Sequence, residues 1–195
     1  MNACAGPALV LPDASVAGLS QGEWSQRWWE WASAFPHEES PVADRTGARC
    51  AAGQEGQVWF LAGAFGSSLV NRRCTVPRGK YLFFPLVNAI VHPARESSLS
   101  CADAIRMASD MVGDPILLVT ELDDELLEDL NRHRQQSPGC FDPGARVAGN
   151  PGLYPAASDG YYVMLRPLAP GRHTLRFGGL LQDVAQAISY ELLVE

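Results

Sequence analysis

The sequence predicts a mainly β fold, an antiparallel β-sandwich or jelly-roll with one N-terminal tryptophan-rich α-helix and a second short helix. Three observations support this prediction. Short segments of alternating apolar and polar residues recur, most clearly in the last third of the chain. The 18 glycines and 14 prolines among 195 residues mark many turns, such as residues 77–79 and 170–171. Strands and helices do not alternate as they do in βαβ folds.

The first element is a helix with a clear start signal. Ser20 and Glu23 form a capping box, in which each side chain accepts a hydrogen bond from the backbone of the other residue. The helix is predicted to run to about Ala34 and to stop before Pro36. At about 100° per residue, its large apolar side chains form one stripe, which consists of Trp24, Trp28, Trp31 and Phe35.

The strands follow a long ordered loop over residues 37–56. They are predicted at residues 57–62, 73–76, 80–84, 161–165, 172–177 and 187–194. Residues 100–112 have helical spacing and form the second helix. Residues 116–120 are β-branched and apolar. After them the pattern allows either a turn at Asp123–Asp124 with a return strand, or a helix over residues 123–133.

Composition sets the class of protein. With 47% apolar and 19% charged residues, the chain is globular rather than disordered. We expect a flexible N-terminal segment over residues 1–18 and a single β-sandwich domain over residues 19–195. The net charge is −7 and Lys80 is the only lysine, which argues against a nucleic-acid partner. No apolar run reaches the roughly 18 residues of a membrane span.

The five cysteines indicate two disulfide bonds. None lies in a CxxC pair or beside a histidine at metal-binding spacing, so we predict no metal site. We expect Cys50 to pair with Cys74 and Cys101 with Cys140, with Cys4 left over. A Cys50–Cys74 bond would tie the long loop to the edge of a sheet. The alternative is five buried thiols in a cytosolic protein.

The compartment follows from the same cysteines. Disulfide bonds favour an extracytoplasmic or secreted protein. Residues 1–6 lack the basic and apolar regions of a signal peptide, so either the chain begins after a removed signal or the protein is cytoplasmic. Ala3-Cys4-Ala5-Gly6 could be the remainder of a lipoprotein cleavage site, with Cys4 as the lipidation site.

Several distinctive motifs are spread along the chain. They are Glu23-Trp24-Ser25-x-x-Trp28-Trp29-x-Trp31, Asp44-x-Thr46-Gly47-x-x-Cys50, Val58-Trp59-Phe60-Leu61-Ala62-Gly63, Cys74-Thr75-Val76-Pro77-x-Gly79-Lys80-x-Leu82-Phe83-Phe84-Pro85-x-x-Asn88, Asp159-Gly160-Tyr161-Tyr162 and Pro170-Gly171-x-His173-Thr174-x-x-Phe177-Gly178-Gly179. With this set, residues 19–195 resemble a family of small exported proteins of bacteria and archaea. The resemblance implies export and a shared β-rich fold, but no activity. The chain departs from the family in having no visible signal peptide.

Aromatic side chains are the first candidates for a binding site. Trp29 lies off the apolar stripe of the helix, about 100° from Trp28, and is flanked by serines. An indole in that position suits stacking on a sugar ring or an aromatic ligand. Tyr161 and Tyr162 point to opposite faces of one strand, and we select Tyr161 as the second candidate ligand-binding residue.

Titratable side chains give the polar candidates. His37 and Asp44 lie in the loop that follows the helix, where binding and catalytic groups tend to collect. If the protein is an enzyme, Glu30 joins them as a proton-transfer group. The competing interpretation is a solvated acidic loop, and a solvated ion-pair row of Glu23, Arg27 and Glu30 on the helix.

Three functional hypotheses follow. The leading one is an extracytoplasmic β-sandwich that binds a small molecule or glycan in an aromatic-lined pocket, without a cofactor. The second is an enzyme that performs acid–base chemistry in the same pocket, for example in specialised metabolism. The third is an envelope protein with a protein partner. The sequence contains no GxSxG, HExxH, Walker or GxGxxG motif, so it names no reaction.

Overall fold

A computed structural model describes residues 8–94, 98–145, 147 and 152–195. It confirms the mainly β fold, with two helices and nine strands in two stacked sheets. In chain order the elements are α1 (Gln21–Ala32), a 3₁₀ turn (His37–Glu39), β1 (Val58–Phe60), β2 (Ser68–Val76), β3 (Tyr81–Val91), α2 (Cys101–Val112), β4 (Leu117–Leu122), β5 (Glu125–Leu126), a 3₁₀ turn (Leu130–Arg132), β6 (Arg134–Gln136), β7 (Ala157–Leu165), β8 (Gly171–Leu180) and β9 (Ala185–Val194).

The two sheets are mixed rather than purely antiparallel. The four-stranded sheet has the order β1-β3-β7-β6, and the five-stranded sheet has the order β2-β9-β8-β4-β5. β1 runs parallel to β3, and β2 runs parallel to β9, whereas every other ladder is antiparallel. The alternation of residues along a strand predicts which side is buried but not the direction of its neighbour, so the sequence could not show this.

The structure decides between the two alternatives for residues 123–133, a return strand or a helix. β4 and β5 form a hairpin, with Glu121 opposite Leu126, and Asp123 and Asp124 occupy its turn with positive φ angles. The predicted return strand is therefore confirmed, and the helix over residues 123–133 is wrong. Aspartate tolerates the left-handed region better than most residues, which explains the pair at this turn.

The main core lies between the sheets. Phe84 of β3 and Phe177 of β8 contact each other with ring centroids 4.3 Å apart, and Phe177 stacks on Tyr190 of β9 at 6.0 Å. Tyr161 and Val163 of β7 belong to the same cluster. Inward residues alternate with outward ones along β2 and β9, so these strands bury one face and expose the other.

A second core forms where α1 covers the outer face of the four-stranded sheet. The capping box of Ser20 and Glu23 is present as predicted. Trp28 is 2% exposed, and its indole N–H donates to the carbonyl of Leu61. Trp31 is buried beside it, with ring centroids 6.0 Å apart. The predicted tryptophan stripe is therefore the seam between the helix and the sheet.

The N-terminal residues that the structure describes are part of the domain. The backbone N–H of Val10 donates to Met164 of β7, and the N–H of Arg166 donates to the carbonyl of Ala8. Val10 and Val16 are both buried in the second core. The flexible segment predicted over residues 1–18 is thus corrected from residue 8 onward, because Val10 and Val16 gain apolar burial against α1 and β7.

Both predicted disulfide bonds are confirmed. Cys50 pairs with Cys74 and ties the loop before β1 to β2, and Cys101 pairs with Cys140 at the start of α2. Cys4, the predicted spare and candidate lipidation site, lies outside the described residues. α2 is held further by Arg134, which binds both Ser109 of α2 and the buried carboxylate of Asp159 on β7.

Candidate functional site

A pocket of about 230 Å³ opens at the C-terminal end of α1, on the outer face of the four-stranded sheet. We call it the Trp29 pocket. Its walls come from the last turn of α1, the following loop, the segment after β1, and β3. The lining residues are Trp28, Trp29, Ala32, Ser33, Phe35, His37, Ser40, Val42, Ala64, Phe65 and Asn88.

Trp29 is placed in the pocket by helix geometry. Trp28 faces the sheet, so the next residue points about 100° away, along the sheet surface rather than into it. The two indoles meet edge to face, with centroids 5.1 Å apart and an interplanar angle of 89°. Trp29 is therefore partly buried against the second core and still presents surface to the pocket.

His37 and Phe65 form the opposite wall. Their rings stack with centroids 5.1 Å apart and an interplanar angle of 20°. His37 begins the 3₁₀ turn after α1, and Phe65 lies in the segment between β1 and β2. Phe65 is 50% exposed, which is high for a phenylalanine. The pair thus joins two separate segments over the pocket by one aromatic contact.

A hydrogen-bonded group on the sheet forms the polar end of the pocket. The Asn88 amide Nδ2 donates to the Tyr162 hydroxyl at 3.0 Å. The indole N–H of Trp29 is buried near this hydroxyl and lowers its pKa. Among the described residues, this N–H has no well-aligned hydrogen-bond partner. Burial raises the pKa of Tyr162 far above its ordinary value, so the hydroxyl stays protonated.

Gly160 makes room for this group. It lies directly opposite Asn88 in the β3–β7 ladder, and a Cβ atom there would stand 2.6 Å from the Cβ of Asn88. Any larger residue would push Asn88 away from Tyr162 or separate the strands. The Asp159-Gly160-Tyr161-Tyr162 motif therefore has a local physical reason.

The structure brings together two of the four predicted ligand-binding residues. Trp29 and His37 both line the pocket. Tyr161 faces the other side of β7, where its ring lies in the main core 5.9 Å from the guanidinium of Arg134. Tyr161 therefore does not line the pocket, whereas the hydroxyl of the neighbouring Tyr162 accepts from Asn88, which does.

Asp44 and Glu30, the candidate carboxylates, also lie away from the pocket. Asp44 accepts hydrogen bonds from the backbone of Thr46 and Arg49 at 2.8 Å each, and so organises its own loop. Burial raises the pKa of Asp44, but the hydrogen bonds lower it by more, so its net pKa lies below the ordinary value. Glu30 is buried and bound to Arg27 and Gln26. The expected solvated row is therefore wrong at Glu30.

Sequence reasoning missed Phe65, Asn88 and Tyr162 as site residues. Asn88 is a polar residue in the otherwise apolar run of β3, and Tyr162 is the partner of Tyr161 in a motif already noted. Asn88 and Tyr162 could therefore have been identified from the sequence. Phe65 lies between two glycines in a segment without periodicity, so only the fold shows that it meets His37.

The chemistry of the pocket is aromatic and weakly polar. Among its described lining residues there is no carboxylate, and His37 is the only titratable side chain. The described part of the chain also contains no group of three metal-ligating side chains. The arrangement can therefore hold an apolar or aromatic-compatible ring and offer it an amide and hydroxyl groups.

Other surfaces differ in character. The outer face of the five-stranded sheet has a shallow groove of about 480 Å³, with Leu69, Leu117 and Val119 along it. Leu69 is 67% exposed. The other end of this face is charged, and there Arg73 pairs with Glu191 at 2.8 Å.

Within the described residues, no helix is long and apolar enough to cross a membrane. Searches against protein-family models, curated proteins and solved structures returned no match for the chain.

Proposed function

We propose that the protein binds a small molecule, of the size of one sugar or aromatic ring, in the Trp29 pocket. The observation that carries the proposal is the convergence of Trp29, His37 and Phe65 around one polar amide, Asn88. Ligand sites are typically concave and largely apolar, with a few placed polar groups. The volume of about 230 Å³ suits a single ring rather than an extended chain.

The geometry supports binding over acid–base catalysis. Acid–base catalysis needs its titratable groups within hydrogen-bond reach of the substrate, and among the described lining residues His37 is the only such group. Of the carboxylates expected to serve, Asp44 accepts hydrogen bonds from the backbone N–H groups of its own loop, and Glu30 accepts from the Arg27 guanidinium. The enzyme hypothesis therefore stays a second prediction. The hypothesis of a protein partner also stays a prediction, and the groove beside Leu69 is its candidate surface.

We infer that the protein works outside the cytoplasm. Two disulfide bonds support this inference, because such bonds persist in oxidising compartments. The resemblance to small exported proteins of bacteria and archaea supports it as well. Export of this chain can be tested by locating a tagged copy after cell fractionation.

The binding proposal is tested by titrating the purified protein with a panel of monosaccharides and small aromatic compounds. Isothermal titration calorimetry gives the affinity, and the intrinsic tryptophan fluorescence reports on the pocket, since Trp28 and Trp29 line it. We expect at least one compound to bind. Phe65→Ala should weaken that binding by about tenfold, because it removes an aromatic wall.

A matched control separates the pocket from a general surface effect. Leu126 is 67% exposed and lies outside the pocket, so Leu126→Ala removes a comparable apolar side chain elsewhere. It should leave the affinity unchanged. Equal affinities for wild type and Phe65→Ala would show that the ligand binds somewhere else.

A further inference from the structure

We infer that the ligand of the Trp29 pocket carries a positive charge, as a small ammonium or methylated ammonium group. This inference rests on the proposed function and adds the chemical class of the ligand. Three independent features of the pocket favour a cation, and each concerns a different part of its wall.

The first feature is the aromatic wall. Trp29 and Phe65 both line the pocket, and the electron-rich faces of such rings attract cations. Indole is the strongest of the natural aromatic side chains in this respect. Phe35 and Trp28 complete the lining on the helix side. Methylated ammonium groups bind in aromatic enclosures of this kind, because their methyl groups also gain from apolar contact.

The second feature is the end of α1. Its last turn, through Ala32 and the cap residue Ser33, lines the pocket. The aligned peptide dipoles place partial negative charge at the C-terminal end of a helix, where cations are stabilised. The last turn of α1 contains no basic residue, so this partial charge is not neutralised by the helix itself.

The third feature is the Oδ1 acceptor of Asn88, which has no hydrogen-bond partner among the described residues. Since Nδ2 donates to the Tyr162 hydroxyl, the Oδ1 atom is the amide atom left for a ligand. Ser40, another polar lining residue, uses its hydroxyl to donate to the carbonyl of Ala32. The polar end therefore offers an acceptor, which suits an N–H donor or the positive edge of a methylated ammonium group.

The surrounding charges favour the same sign. Glu38 and Glu39 follow His37 in the 3₁₀ turn and are exposed. Arg72 is a buried positive charge that contacts Val42, a lining residue, through its backbone carbonyl. Its guanidinium donates to the carbonyls of Val42, Ala62, Gly63 and Asp44, and it does not line the pocket. The protein as a whole carries a net charge of −7.

The experiment compares two ligands of the same shape. Choline and its neutral carbon isostere, in which a tert-butyl group replaces the trimethylammonium group, are titrated into the full chain by calorimetry. Tetramethylammonium serves as the cation without a hydroxyl. We expect both cations to bind at least about tenfold more tightly than the isostere. Equal binding of choline and the isostere would overturn the inference.

The outcomes separate this inference from the proposed function. If neutral sugars or aromatic compounds bind in a Phe65-dependent manner and choline does not, the cation inference fails and the proposed function holds. If no compound of either class binds, both fail. Binding of choline that is unaffected by Phe65→Ala also overturns the inference, since the cation would then lie outside the pocket.

A substitution isolates the contribution of the ring. Phe65→Leu keeps apolar bulk at a half-exposed position, so folding is unaffected, but it removes the aromatic face. We expect the affinity for choline to fall about fivefold while the affinity for the neutral isostere stays the same. Asn88→Asp, with its fold checked by circular dichroism, should raise the affinity for choline by adding a carboxylate. Opposite changes would contradict a cation-binding pocket.

Discussion

The outer face of the four-stranded sheet is covered by α1, whereas the outer face of the five-stranded sheet has no covering helix in the described part of the chain. The candidate site lies at the covered face, where α1 ends and aromatic side chains line the Trp29 pocket. The other face is crossed by alternating polar and apolar side chains, among them the exposed Leu69. On the covered face α1 supplies a second wall to the Trp29 pocket, whereas the groove on the open face is bounded by the sheet and its loops.

The strands record this difference in their burial. Every residue of β7 is buried, because one side faces the main core and α2 and the other faces the second core under α1. β9 alternates between buried and exposed positions, because only one side is covered. A strand in the covered sheet therefore tolerates few polar residues, and two of those present, Asp159 and Asn88, have side-chain hydrogen-bond partners.

The largest test of this comparison is Trp28→Ala. It should lower the free energy of unfolding by about 3–5 kcal/mol, because it leaves a large cavity between α1 and the sheet. Leu69→Ala, on the open face, should change it by less than about 0.5 kcal/mol. Denaturant melts followed by circular dichroism measure both. Similar losses would show that the two faces do not differ in their contribution to stability.

Trp29→Ala refines the first test within the same helix. Trp29 is partly exposed and lines the pocket, so its truncation should cost clearly less stability than that of Trp28. Ligand binding should instead be lost. Equal stability losses for the two variants would mean that Trp29 serves the core rather than the pocket.

The Cys50–Cys74 bond stabilises the open sheet at the edge formed by β2. Replacing both cysteines by alanine should lower the free energy of unfolding by about 3 kcal/mol in the chain-entropy description of a loop of this size. The bond spans 24 residues. Non-reducing peptide mapping should recover the two bonded peptides. Recovery of Cys50 bonded to Cys101 would contradict the structure.

Tyr162→Phe probes the polar end of the pocket. It removes the hydroxyl that accepts from Asn88, leaving a partly buried amide without that partner. We expect a loss of about 1 kcal/mol in the free energy of unfolding. Tyr190→Phe provides a matched control in the main core, where the lost hydroxyl contacts Arg72 instead. It should leave ligand affinity unchanged, whereas Tyr162→Phe should weaken it.

The two sheets should respond oppositely to pH through one histidine each. His173, at the start of β8, contacts the Asp123 carboxylate at 2.6 Å and the Ala169 carbonyl at 2.8 Å. Burial lowers the pKa of His173, but these two acceptors raise it by more, so its net pKa lies above the ordinary 6.5. His133, beside β6, is buried, and burial with the nearby Arg132 lowers its pKa.

The sign of each effect follows from linkage. The His173 contribution is complete below the ordinary pKa of 6.5 and is lost as the pH rises through the raised value. His173→Gln should therefore cost more stability at about pH 5.5 than at about pH 8.5. His133 disfavours its charged form, so stability is lost as the pH falls below 6.5. His133→Gln should reduce that loss, and the reverse ordering would contradict these environments.

The fold was more predictable from sequence than the site, for physical reasons. Capping at Ser20, the tryptophan stripe and both disulfide pairs are local or strongly patterned signals. Parallel pairing of β2 with β9 depends on residues far apart, and no local pattern encodes it. In the site, helix periodicity identified Trp29. Asp44 was misplaced because an acidic loop residue can bind a ligand or its own backbone, and sequence does not distinguish the two.

The position of β9 also determines when the molecule can fold. It lies between β2 and β8, and Arg73 on β2 pairs with Glu191 on β9, 118 positions later. Until β9 emerges, two strands of the sheet have open edges and the main core lacks Ile188, Tyr190 and Leu192. Such long-range pairing slows folding. Products shortened before β9 would expose unpaired strand edges and apolar core surface, which makes them prone to aggregation.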